Sequence, residues 1–325
     1  MKILFWGDTA GEGGPNYVNR GIVKELTPNF RYVARKNKYV RFASAAAKCL
    51  FCDVTVVSGL SKQAMLLSGI AKAFGKKVVY IMHGCVAYES VVNLQSGTEA
   101  ALKQEEYLLK NADLLLPVSK KFRNWVQNRY PQYAHKAKYL YNGIEKTWPD
   151  EAASECPKIK GSVAASGADR GVKNNIVVAR AVERMNGKAM LTVYGTVYHK
   201  APEGFRYAKY VDRIPRSEFF GHLRQTELFV ANSIFDTFNL SVIEALQCGC
   251  SVLVSEAVGV TDLLALEEND LIHDPMDEDE IGRKIRYLLE NPNHHRILSQ
   301  LDLEQYSFQK SVERLEKLCT ELIDK

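Results

Sequence analysis

"FDTFNLSVIEALQCGCSVLVSEAVGVTDLL", residues 235–264, contains the connection on which the fold depends. From Leu240 onward, Val242, Ile243, Ala245 and Leu246 recur at helical spacing, which predicts a buried helix over 240–248. The cysteines and glycine at 248–250 end it, and "SVLVS" then reads as a short buried strand. A strand reached directly from a helix implies a parallel sheet, because parallel neighbours need crossover connections. Two carboxylates stand out. Asp236 precedes the helix and Glu244 lies inside it, with seven residues between them. Carboxylates so placed either cap the helix or accept hydrogen bonds from a polyhydroxylated ligand held there. Glu244 lies too far in to be a cap, and a charge in an apolar segment needs a partner.

The same alternation extends outward over the whole chain. In the first half, "KILFW", "DVTVVSG", "KKVVYIMHG", "ADLLLPVS" and "AKYLYNG" read as buried strands. Helical patterns separate them at 15–26, 38–50, 61–74, 99–111 and 119–129. In the second half, "GSVAASG", "AMLTVYG", "TELFVANS" and "CSVLVSE" read as strands, with helices near 173–185, 216–224, 240–248 and 277–290. Strands alternating with helices predict an α/β fold of doubly wound parallel sheets. The stretch "EKTWPDEAASECPKIK" has no periodicity and two prolines, and reads as a linker. Two Rossmann-like domains facing a cleft follow: 1–147, a linker over 148–160, and 161–303. A terminal amphipathic helix over 304–325 would pack back on the first domain, through Val312, Leu315, Leu318, Cys319 and Leu322.

Composition narrows the class. The 325 residues are 46% apolar and 25% charged, as in a soluble globular protein, and no apolar run approaches a membrane span. The seven cysteines lack framework spacing, which predicts reduced thiols in a cytoplasm. Cys49 and Cys52 form a lone C-x-x-C that reads as buried small hydrophobes. The net charge of +5 conceals an asymmetry. Residues 1–150 hold 22 Lys and Arg against 11 Asp and Glu, a net of +11, whereas the remainder nets −6. The two halves should therefore have different partners.

Ligands of open parallel sheets bind beyond the carboxyl ends of the strands. After "KILFW" come Gly11, Gly13 and Gly14, then Pro15, which can open a helix. Glycines there let backbone amides approach an anion, or simply make a tight turn. The spacing is not the dinucleotide fingerprint G-x-G-x-x-G, since Asn16 holds its last position. This weighs against a hydride-transferring dehydrogenase. After "KKVVYIM" comes His83, next to Gly84. After "GSVAAS", Arg170 and Lys173 stand where a loop turns into a helix, beside Gly167 and Gly171. Two cations with helix amides suit a diphosphate; the alternative is a solvated loop.

Together these residues resemble the retaining glycosyltransferases of family 4, which have the GT-B fold. Asp236, "TFNLSVI", Glu244 and "ALQCGCSVLVS" match the family's two spaced acids, helix and following strand, and "YNGIE" at 141–145, "ADLLLPVS" and His83-Gly84 also fit. The resemblance implies that Glu244 binds ribose hydroxyls of a nucleotide-sugar and that Asp236 faces the donor sugar. It places the amides of Asn239, Leu240 and Ser241 on the sugar or diphosphate. Lys173 would neutralise the diphosphate, Gly13 and Gly14 would approach the same phosphates, and His83 would lie beside the anomeric carbon. The catalytic set would be His83, Asp236 and Lys173. Two positions depart from the pattern. The first acid is Asp rather than Glu, and the family's Gly-Arg falls on Gly167-Ala168, leaving Arg170 as the candidate substitute.

The implied reaction moves a sugar, UDP-linked by preference, to a saccharide or lipid-linked saccharide in bacterial surface-polysaccharide synthesis. It needs no cofactor and no metal. A nucleotide-sugar 2-epimerase and a non-catalytic subunit of the same fold are the rival readings. The resemblance also makes the basic first domain the acceptor side. There Arg35, Lys36, Lys38 and Arg41 lie among Tyr32, Tyr39, Val40 and Phe42. That pattern suits peripheral attachment to an anionic inner-membrane face, or a solvated helix face over an ordinary core. Nucleic acid is not expected, because no recognition motif accompanies the charge.

Overall fold

The computed structural model describes residues 1–34, 37–93, 99–145, 156–197 and 202–324. The chain divides into two compact units, Met1–Lys146 with Leu303–Lys325, and Thr147–Asp302. The expected linker at 148–160 lies largely outside the described residues, which resume at Cys156.

The first unit runs β1 (Ile3–Gly7), α1 (Gly14–Lys24), β2 (Phe30–Arg31), α2 (Lys38–Cys49), β3 (Val54–Ser58), α3 (Lys62–Ala73), β4 (Lys77–Met82), α4 (Val86–Val92), α5 (Glu99–Asn111), β5 (Leu114–Pro117) and α6 (Lys120–Arg129). Its described strands form one sheet in the order β2-β1-β3-β4-β5, paired in parallel throughout. Strands β1, β3 and β5 are buried along their whole length, as parallel strands covered by helices on both faces must be. The segment expected as a strand over 137–143 is not one. It runs beside β5 with two backbone bonds, Lys138 N–H to Leu115 O and Leu140 N–H to Pro117 O, both 3.0 Å. Only Ala137 makes a ladder bridge.

The second unit runs β6 (Ile159–Ser166), α7 (Asn175–Glu183), β7 (Met190–Tyr194), β8 (Ala208–Val211), α8 (Arg216–Arg224), β9 (Thr226–Ala231), α9 (Leu240–Gln247), β10 (Ser251–Ser255), β11 (Leu271–Ile272), α10 (Glu278–Glu290) and α11 (His294–Gln300). The sheet order is β11-β10-β9-β6-β7-β8, again parallel. Val163, Leu191, Val193, Leu228, Val230 and Leu253 face Val178, Val182, Ile281 and Ile285 in one core cluster.

The last helix, α12 (Phe308–Ile323), belongs to the first unit. Ser307 caps it by accepting from Lys310 N–H. Its Phe308 ring lies 5.9 Å from that of Tyr17 and occupies the space left by two glycines. A Cβ on Gly21 would stand 2.3 Å from the ring, and one on Gly143 2.2 Å. Ile144 N–H to Tyr306 O (2.9 Å) and Ser311 Oγ to Tyr141 O (3.0 Å) fix the returning chain.

Strand order locates the crevices. In the second sheet the connections reverse direction between β6 and β9, and in the first between β1 and β3. At such switch points the loops leaving two neighbouring strands part, and a ligand can enter between them.

Candidate functional site

At the switch point of the second sheet, β6 ends at Ser166 and the chain turns through Gly167 (φ +97°) and Ala168 (φ +46°). A side chain at Gly167 is excluded by conformation and by space, since a Cβ would lie 2.5 Å from Lys173 Cγ. Asn175 holds the turn, its Nδ2 donating to Ser166 O (3.1 Å) and Ala168 O (3.0 Å). Lys173 is thereby carried over the glycine toward the loop from β9. That loop is tied back by Ile234 N–H to Val172 O at 2.9 Å.

The β9 loop presents Asp236. Its Oδ2 takes Lys173 Nζ in a largely buried ion pair and lies 3.4 Å from Ser233 Oγ. Its Oδ1 accepts from Phe238 N–H at 3.3 Å, a local turn two residues on. Asp236 is therefore not the cap of α9. The N-cap is Asn239, in the left-handed region (φ +70°, ψ 79°), and its side chain makes no capping bond. Asn tolerates that region better than most residues. The first amides of a helix have no partner within it. Asn239, Leu240 and Ser241 are part-exposed, while Val242 to Leu246 are buried as the sequence predicts.

Glu244 is buried on α9, and its partner comes from another element. Arg216, the first residue of α8, donates from Nη2 to Glu244 Oε1 and lies with its guanidinium 5.0 Å from the centre of the Phe220 ring. Sequence reasoning missed Arg216. The available signal was the need of a buried acid for a cation, which does not name the cation.

Arg170 is part-exposed and starts the short turn that ends at Lys173, its N–H bonded to Gly167 O at 3.2 Å. Ala168, where the family pattern has Arg, is buried. The chain has an Asp-x-Asp spacing at Asp277 and Asp279. It is a helix terminus: Asp277 caps α10, and Asp279 pairs with Arg184 at 2.9 Å.

In the first unit the switch point gathers the loop after β1 with Ser58 and His83. Gly13 is the extended N-cap of α1 and Gly14 its first residue, followed by Pro15. Neither has positive φ, and a Cβ on Gly14 would meet nothing within 4 Å. The loop is held by Arg20, which donates to Thr9 O (3.0 Å) and Gly11 O (2.6 Å), and by Asn16 bonded to Asp8 Oδ2 (2.9 Å). Ser58 Oγ donates to Asn19 Oδ1 at 2.6 Å and lies 2.9 Å from His83 Nε2. With its only proton given to Asn19, Ser58 must accept from His83, so the proton of the imidazole is on Nε2. Burial pushes the His83 pKa down to about 4, so the ring is neutral at physiological pH. Behind it, Glu105 accepts from the amides of Val86 (2.7 Å) and Ala87 (2.9 Å), fixing the start of α4.

Among the described residues the basic patch loses one of its expected members. Arg41 turns inward, its guanidinium 4.3 Å from the Trp6 ring centre and donating to Gly7 O and to Val33 O (3.2 Å). A guanidinium can satisfy carbonyls and an aromatic face at once, so a basic residue on an amphipathic helix need not face solvent. Lys38 is exposed, beside Tyr39 and Val40, which are 72% and 51% exposed. Arg35 and Lys36 lie outside the described residues. Among the described residues no helix is long and apolar enough to cross a membrane.

The chain is similar to several known proteins. Residues 149–301 match the family model described as glycosyl transferases group 1. A relative from Campylobacter jejuni, the N-acetylgalactosamine-N,N'-diacetylbacillosaminyl-diphospho-undecaprenol 4-alpha-N-acetylgalactosaminyltransferase, is 24% identical over 68% of this chain. That match spans 63% of the relative's length. Among solved structures, Anabaena Alr3699/HepE in complex with UDP-glucose is similar with a TM-score of 0.70 at 14% identity, covering 99% of this chain and 100% of that one. The sucrose-phosphate synthase of Thermosynechococcus elongatus is similar with a TM-score of 0.66 at 16% identity, covering 100% of both. These likenesses show the GT-B fold, with its two parallel-sheet α/β domains. The family match takes in nearly all of the second unit, which holds the Lys173–Asp236 pair and the Arg216–Glu244 pair.

Proposed function

We propose that the chain transfers a sugar, with retention of anomeric configuration, from a nucleotide-diphosphate donor to a saccharide or lipid-linked saccharide. A UDP-sugar is the favoured donor and bacterial surface-polysaccharide synthesis the favoured setting. The observation that carries the reading is the Lys173–Asp236 pair at the switch point, beside the uncapped amides of α9. A diphosphate entering there competes for Lys173. As the ammonium moves to the phosphates, Asp236 is released to accept from hydroxyls of the donor sugar. Lys173, Arg170 and the amides of Asn239, Leu240 and Ser241 then stabilise the charge that develops on the leaving diphosphate. The loop of Gly13 and Gly14 is proposed to admit phosphates, and His83, whose ring is neutral, to act in turnover. A leaving phosphate oxygen takes the proton of the incoming hydroxyl, so the mechanism has no separate base and no metal. The Campylobacter jejuni relative, named for a diphospho-undecaprenol-linked substrate and an alpha product, supports a lipid-linked acceptor. HepE, solved with UDP-glucose, supports a UDP-sugar. The exposed Lys38, Tyr39 and Val40 and the +11 charge of the first half support peripheral attachment to the inner face of a membrane.

The test is donor turnover. The protein is incubated with a panel of UDP-sugars, with and without undecaprenyl-diphosphate-linked saccharides. The reading requires release of free UDP that depends on the acceptor, and an axial product from an axial donor by NMR. Conversion of the donor to its 2-epimer without acceptor would make the chain an epimerase. Absence of turnover with retained nucleotide binding would make it a non-catalytic subunit.

A further inference from the structure

Arg216 and Glu244 are separated by 28 positions and meet because α8 and α9 pack side by side. The Glu244 side chain is 6% exposed and that of Arg216 38% exposed. A carboxylate so buried is costly unless a cation accompanies it. Arg216 is held on its own side by the Phe220 ring, which restricts the plane of the guanidinium. A guanidinium of fixed plane dictates how the carboxylate it binds can lie, which a flexible ammonium does not. Resting on the donor-site reading above, this geometry has a consequence for nucleotide choice. Two vicinal ribose hydroxyls can both donate to a carboxylate only if it is charged and correctly turned.

We propose that Arg216 is the positioning residue through which the site selects ribose: it holds Oε1 of Glu244 and so sets the carboxylate to receive the ribose hydroxyls. Arg216 acts through Glu244 and not on the phosphates. Selection against a deoxyribose therefore depends on an ion pair formed before the nucleotide arrives.

The experiment is calorimetric titration of the full chain with UDP, ADP and GDP. The tightest of these is then compared with its 2′-deoxy counterpart and with its monophosphate. Arg216→Gln is expected to weaken the ribonucleoside diphosphate by about tenfold and to narrow the ribose-to-deoxyribose ratio by a similar factor. The diphosphate-to-monophosphate ratio, which reports Lys173 and the α9 amides, should not change. In the Glu244→Gln background, adding Arg216→Gln should change the ribose-to-deoxyribose ratio no further. An unchanged ratio in Arg216→Gln overturns the proposal, as does an equal effect of Arg216→Gln with and without Glu244. If Arg216→Gln does not fold, Arg216→Lys keeps the charge without the planar fork, and it too must narrow the ratio or the proposal fails. Failure of the underlying reading looks different. If none of the three diphosphates binds, or if Glu244→Gln retains the wild-type ratio, the donor site itself is misplaced and the inference falls with it. If Glu244→Gln narrows the ratio and Arg216→Gln does not, only the role of Arg216 is lost.

Discussion

His83 donates from Nε2 to Ser58, and burial holds its pKa near 4, so it cannot serve as an imidazolium acid at neutral pH. A neutral ring can still shape the reacting centre. His83→Ala should therefore lower turnover at least tenfold while UDP affinity changes less than twofold, read by initial rates and calorimetry. The depressed pKa also has a stability consequence. The unfolded chain takes up a proton near pH 6.5 and the folded chain only near 4. The contribution is thus complete above pH 6.5 and is lost as pH falls toward 4, by about 2 kcal/mol between pH 7 and pH 5. Urea unfolding should show that loss in the wild type and a smaller one in His83→Gln. Asp236 carries a sharper expectation. Because it pairs with Lys173 and does not cap α9, Asp236→Ala should abolish transfer. The stability it loses should come from the largely buried Lys173 left unpaired, so that Asp236→Ala in a Lys173→Met background should cost little further stability. A large drop in unfolding free energy with activity retained would reverse that assignment. The two carboxylates were legible in the sequence because each interrupts an apolar pattern. Arg216 was not, because nothing local links it to Glu244. Arg41 was read as surface because charge spacing does not reveal that a guanidinium has folded back over Trp6.

At the scale of elements, what could be read was what is buried on both sides. The strands near 3–7, 54–58 and 251–255 are buried throughout, and their apolar runs declare them. The missed strands β2, β8 and β11 have only two, four and two residues and are sheet-edge members, where one neighbour is missing and the pattern weakens. The start of α9 was placed correctly at Leu240, but its device was not visible. Asn239 at φ +70° turns the chain into the helix. Asn239→Gly should hold or slightly raise stability, whereas Asn239→Ala should cost about 1 kcal/mol, because alanine keeps the Cβ but lacks the short polar side chain that lets Asn tolerate that region. Equal chemical denaturation midpoints for the Gly and Ala variants would show that the turn relaxes. Because the same turn aims the Leu240 and Ser241 amides, the Ala variant should also bind UDP more weakly than the Gly variant.

For the whole molecule, strand order is the fact the sequence could not supply. The alternation of elements predicts two parallel sheets, but which strands are neighbours depends on long-range packing, and the switch points follow only from that order. Charge, by contrast, is written in the sequence, and the structure changes which residues can act on it. Of the four basic positions expected at a membrane, Arg41 is committed to Trp6 and Gly7, and Lys38 is exposed at the start of α2. Tyr39 and Val40 beside it offer apolar surface to an interface. A single exposed basic residue near an anionic surface contributes about 1 kcal/mol, so attachment must draw on the wider excess of the first half as well. Flotation with vesicles should therefore show more binding to anionic than to neutral lipid and a decline as salt rises. Replacing Lys38, Tyr39 and Val40 together with Ser should reduce binding several-fold while leaving the unfolding transition in place. Arg41→Ser should behave differently, lowering stability through its lost contacts with Trp6, Gly7 and Val33. Equal flotation with neutral and anionic vesicles, or full binding by the triple Ser variant, would leave this face as ordinary basic surface and return the acceptor side to soluble saccharides.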